Sequence, residues 1–202
     1  MMYVFGLGNP GEEYEDSRHN TGRIILNYIA KANDFSLWKN DIGLKALRSK
    51  GEISGPASTQ GGEKFDFIAP ETFMNNSGFS VSKVIDGKNK LKNLVIVYDD
   101  IDLPLGSLKI SFNRSSGGHN GLESVIKKVK SREFVRIRIG VSPITPTGKI
   151  KKPKGEEAVL KFLLGKFKDD ELKEIKKISK KVAEILATLS SNGKEKAMSE
   201  FN

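Results

Sequence analysis

Five side chains in this sequence could together handle a carbonyl group and a proton: His19, Asp99 and the asparagines Asn9, Asn75 and Asn120. His19 is one of only two histidines, and imidazole titrates near enough to neutral pH to take a proton from water. It lies where the turn-rich stretch GLGNPGEEYEDSR gives way to helical spacing, a place that suits a general base and equally a surface histidine beside a helix cap. A carboxylate such as Asp99 would orient the ring, while amide side chains would hold a carbonyl and its developing oxyanion. Hydrolysis of an ester or amide is the chemistry such a set performs. Other routes lack their residues: there is no cysteine, no G-x-S-x-G nucleophile elbow and no close-spaced H-E-x-x-H ligand pair.

The elements around these residues must bring distant loops to one place. Residues 2–5 form an apolar run too short for a helix and rich in strand formers, and Pro10-Gly11 then turns the chain. Past His19, Ile25, Tyr28, Ile29 and Ala32 share a helical face, with Asn20 or Thr21 placed to cap it. Strands are predicted over 44–53, 64–68, 94–97, 108–112 and 134–141, and the 94–97 run is apolar on both faces, as a central strand should be. Asp99 follows that run, at the strand end where open α/β sheets build their sites. Phe35, Leu37 and Trp38 are expected core anchors, and Ser54 to Gly62 reads as a loop. Helices are predicted after Gly78, over 122–130, from Ala158 and over 169–189. Arg136 and Arg138 give the last strand a basic face, Lys127, Lys128 and Lys130 line the exposed side of the helix before it, and 142–155 has the composition of a mobile loop with lysines from 149 to 154. The expected architecture is a single α/β domain over 1–190, a mostly parallel mixed sheet flanked by helices, with a polar tail over 191–202.

Gly6-Leu7-Gly8-Asn9-Pro10-Gly11 also satisfies the G-x-G-x-x-G dinucleotide fingerprint. Glu12, Glu13, Glu15 and Asp16 follow it, however, and would repel a pyrophosphate where the fingerprint needs a helix N-terminus. The strand ending in Asp99-Asp100 likewise has no G-x-x-x-x-G-K-[ST] partner for an ATPase site. The 202 residues suit one domain, and the net charge of +9 favours a polyanionic partner such as nucleic acid. No run approaches a membrane span and no signal peptide is evident, so a cytoplasmic protein is expected.

GLGNPG at 6–11 with Tyr14 and Arg18-His19-Asn20, TFMNNSG at 72–78, DDIDLPLG at 99–106 and GGHNGL at 117–122 together resemble the bacterial-type peptidyl-tRNA hydrolases. The resemblance runs in order from the first strand to Arg136-Ile137-Arg138-Ile139-Gly140. It implies a monomer without metal or cofactor that cleaves the ester between a peptidyl group and tRNA. It implies His19 as the base, Asp99 on its far nitrogen, Asn9, Asn75 and Asn120 on peptide carbonyls and the attacking water, and Tyr14 and Met74 in the cleft. His119 is implied to be structural. A basic pair clamping a tRNA phosphate is also implied: Arg138 matches one member, while Ser111 stands where the lysine belongs, leaving Lys109 or Arg114 to substitute. The rivals are an RNA-binding protein that has lost turnover and a nucleotide-binding oxidoreductase.

Overall fold

The structure, a computed structural model, describes residues 1–54 and 62–202. In chain order the elements are β1 (Met2–Gly6), α1 (Thr21–Ala32), β2 (Lys39–Asp41), β3 (Ala46–Ile53), β4 (Glu63–Pro70), α2 (Gly78–Val84), α3 (Lys88–Leu91), β5 (Leu94–Pro104), β6 (Leu108–Phe112), α4 (Asn120–Val129), β7 (Val135–Ser142), α5 (Glu156–Leu164) and α6 (Asp169–Phe201). The strands form one sheet in the order β2-β3-β4-β1-β5-β7-β6. Its centre is parallel, β1 pairing with β4 and β5, and β5 with β7. Its edges are antiparallel. This is the expected single-domain α/β fold. Most of the loop expected over 54–62 lies outside the described residues.

Strand alternation divides the core into two layers. Val95 and Val97 of β5, with Val135, Ile137, Ile139 and Val141 of β7, point to the face covered by α1 and α6. Leu94, Ile96 and Tyr98 point to the face covered by α2 and α4. The buried stripe of α1 is Ile25, Leu26, Ile29 and Ala30, one step round from the expected face, and Ala32 is exposed. α1 begins close against the sheet because position 22 is glycine: a Cβ there would lie 2.2 Å from the Val97 carbonyl oxygen. That contact sets His19, three residues upstream, over Asp99 in the middle of β5.

Three expectations change. Leu37 is 84% exposed rather than a core anchor, while Phe35 is buried against Phe67 with ring centroids 4.4 Å apart. Arg136 is fully buried, not part of a basic face: its guanidinium donates to the carbonyl of Ser115 at 2.8 Å and to that of Arg114. The stretch expected as a polar tail is helical, turning at Gly193 (φ 84°) and burying Ala197. Its final residue, Asn202, is bonded to both the N–H (2.7 Å) and the carbonyl (3.1 Å) of Ile110 on the edge strand β6. Among the described residues no helix is long and apolar enough to cross a membrane.

Candidate active site

The loops after β1 and β4, Asp99 in the middle of β5 and the loop before α4 come together over the central strands of the sheet. His19 lies in a short helical turn, Arg18–Asn20, that runs directly into α1. The turn is pinned from behind by Arg18, which donates to Glu171 at 2.9 Å and to the carbonyls of Gly165 and Lys166 at 3.2 and 3.1 Å. Its guanidinium also lies over the rings of Phe162 and Phe167. Arg18 therefore works as a brace for its neighbour.

His19 is 5% exposed, and its Nδ1 lies 3.0 Å from both carboxylate oxygens of the buried Asp99. An ionised carboxylate only accepts hydrogen bonds, so Nδ1 carries the proton and Nε2 is left as the basic nitrogen. Burial pulls the His19 pKa down, but the charge and hydrogen bond of Asp99 outweigh it and leave the group raised above its ordinary value. Burial likewise pushes Asp99 up, and the two imidazoles beside it more than reverse this, holding its carboxyl well below the usual range.

Asn9 is buried and held on three sides. Its N–H donates to Asn20 Oδ1 at 2.7 Å, its carbonyl accepts from Asn20 Nδ2 at 3.0 Å, and its Oδ1 accepts from the Met74 N–H at 2.8 Å. Because the Met74 N–H can only donate, the Asn9 amide is fixed with Nδ2 as its free edge. Asn20, expected as a helix cap, spends its side chain on this brace instead. Asn75 and Asn120 sit on the rim, both exposed, in the turn after β4 and at the start of α4. Met74 is buried, and Tyr14 packs edge-on against the exposed Phe73 with ring centroids 6.5 Å apart. A cavity of about 610 Å³ adjoins Asn9 and Asn20 and is lined by Arg23, Tyr28, Trp38 and Leu47 among others.

Of the basic candidates, Lys109 and Arg138 stand directly opposite each other on β6 and β7. Arg138 also donates to Asp100 at 2.6 Å. Arg114 is exposed on the loop beyond β6, and Ser111 is buried opposite Arg136 with its hydroxyl unpartnered. Sequence reasoning missed one member of the site. His119 Nε2 lies 3.2 Å from Asp99 Oδ1 and donates to it, so the two histidines share one carboxylate. Its position directly before a helical run, where a cap belongs, was the available signal.

The described family of peptidyl-tRNA hydrolases matches the chain over residues 3–202. The peptidyl-tRNA hydrolase of Thermoanaerobacter sp. (strain X514) is 38% identical over 203 residues, covering 100% of both chains. That of Aquifex aeolicus (strain VF5) is 36% identical, covering 100% of this chain and 96% of the relative. In structure, the chain resembles the peptidyl-tRNA hydrolase from Acinetobacter baumannii with a TM-score of 0.84 at 26% identity, over 100% of this chain and 94% of the other.

Proposed function

The chain belongs to the peptidyl-tRNA hydrolase family, whose reaction is hydrolysis of peptidyl-tRNA to recycle tRNA, and from that premise we propose that His19 is the base that activates water. The observation that carries this is the pairing of His19 Nδ1 with both oxygens of Asp99. Nε2 accepts a proton from water as its oxygen attacks the ester carbonyl. Asp99 holds the ring in the working tautomer and stabilises the imidazolium that forms. Asn9 Nδ2, already oriented, donates to the oxyanion, and the imidazolium then gives its proton to the departing ribose oxygen. Asn75 and Asn120 on the rim hold peptide carbonyls and water, and Tyr14 and Met74 shape the cleft. A monomer suffices for this chemistry, since every group invoked comes from one chain and none requires a metal or cofactor.

Incubation with a peptidyl-tRNA should release free tRNA. Tight binding without release would instead leave an RNA-binding module on this fold. For the tRNA itself, the cross-strand pair Lys109 and Arg138 supplies two cations on one face of the sheet, with Arg114 beyond them. Phosphate contacts of this kind release counterions and position the substrate without reading sequence. Changing Lys109, Arg114 and Arg138 together to alanine should raise KM for full-length peptidyl-tRNA and flatten its salt dependence. The slope of log affinity against log salt should fall by roughly 0.7 to 0.9 per lost contact. A minimal ester lacking most of the tRNA should lose far less. Equal loss on both substrates would point to damage in the cleft rather than to a clamp.

A further inference from the structure

His119 does two things with one ring. Its Nδ1 accepts the Leu122 N–H at 3.1 Å, capping α4, and its Nε2 faces Asp99 Oδ1 at 3.2 Å. A nitrogen that accepts a backbone N–H carries no proton of its own, so in the neutral ring the proton must sit on Nε2. The helix cap therefore sets the tautomer, and His119 is a donor to Asp99.

This also decides between two readings of the cluster. His19, Asp99 and His119 place one ligand atom each within 4.8 Å of one another, the residue types and spacing of a metal site. Coordination through His119 Nε2 would move its proton to Nδ1, against the Leu122 N–H, and break the cap. The donor chemistry fits a hydrogen-bonded set better than a ligand set.

We propose that His119 is a positioning residue: locked as an Nε2–H donor by the start of α4, it holds one oxygen of Asp99 in place and takes up part of the carboxylate's charge that would otherwise fall on His19. The inference rests on His19 being the base. Among the described residues the surroundings leave this role to His119 alone. Asp100 on β5 is turned to Arg138 of β7, and Arg136 of β7 to the carbonyls of Arg114 and Ser115. Arg18 is turned to Glu171 of α6, and Arg23 of α1 to Glu71. Tyr98, edge-on to His119 with centroids 4.8 Å apart, is pushed up to about 12 by burial and stays neutral.

Two substitutions separate the cap from the donor. In His119→Asn the short amide still caps α4 but falls short of Asp99; in His119→Gln the longer amide reaches Asp99 at about the imidazole's distance but leaves the cap. Histidine titration followed by NMR reads the pKa of His19 directly and needs no turnover. His119→Asn should raise it by about half a unit to one unit, because Asp99 then spends its full charge on His19. The low-pH limb of kcat/KM should move upward by the same amount. His119→Gln should stay near the wild-type value while its Tm drops by roughly 2–4 °C for the lost cap. An unchanged His19 pKa in His119→Asn, or equal shifts in both variants, would overturn the proposal. Should His19→Ala retain turnover while the two variants still diverge, the base assignment would fall and the positioning role would stand.

Discussion

His19→Ala is expected to lower turnover of peptidyl-tRNA by roughly a hundred- to ten-thousand-fold, the usual worth of a positioned general base. Affinity for tRNA should change little, because His19 is buried and the basic residues lie elsewhere, on β6, β7 and the loop after β6. The wild-type enzyme should show kcat/KM rising with pH. The base works only when Nε2 is unprotonated, and Asp99 holds the His19 pKa above the ordinary 6.5, so the limb should be centred above that value. In His19→Ala the residual activity should lack the limb. Single-turnover hydrolysis across a pH series measures both effects. Near-normal turnover in His19→Ala would remove the proposed mechanism, whereas loss of turnover together with loss of tRNA binding would indicate a folding defect.

Much of this arrangement can be read from the chain because its elements are strongly patterned. The apolar run of β5 and the turn residues after β1 place Asp99 and His19 at one end of one sheet, and strand order then brings them together. What escapes reading is the use each side chain makes of its surroundings. Alternation puts Arg136 and Arg138 on one face but does not say what covers it; only the fold shows the carbonyls of Arg114 and Ser115 taking the buried Arg136 guanidinium. Asn20 has the composition of a cap and serves as a brace, because the turn at Pro10-Gly11 brings the chain back so that Asn20 lies across from Asn9. The end of α6 reads as polar since its one buried side chain, Ala197, is small, and its docking depends on Asn202 matching a free N–H and carbonyl on edge strand β6. His119 is the same kind of case. Histidine is an uncommon helix cap, and its second bond crosses to a residue 20 positions away.

Asn9 is the amide proposed to face the oxyanion, and Asn9→Asp tests it. Asn9, Asn75 and Asn120 are alike in composition, but only Asn9 is buried with its orientation dictated, Oδ1 taking the Met74 N–H at 2.8 Å. Aspartate is nearly the same shape. It keeps the bond from Met74, and the backbone clasp by Asn20 is untouched. The free edge, however, changes from an N–H donor into a negative oxygen at the position proposed for the oxyanion. Removal of one preorganised oxyanion donor costs about 10²- to 10³-fold in kcat, and the reversed charge should carry Asn9→Asp to that loss or past it. KM should move little, while Tm should fall, because the new carboxylate is charged in a buried position. Asn9→Ala provides the contrast: it removes the donor without adding charge and leaves the Met74 N–H without its acceptor, so it should lose both rate and stability. If Asn9→Asp kept its rate, the oxyanion donor would have to be Asn75 or Asn120, and the same pair of substitutions there would decide between them.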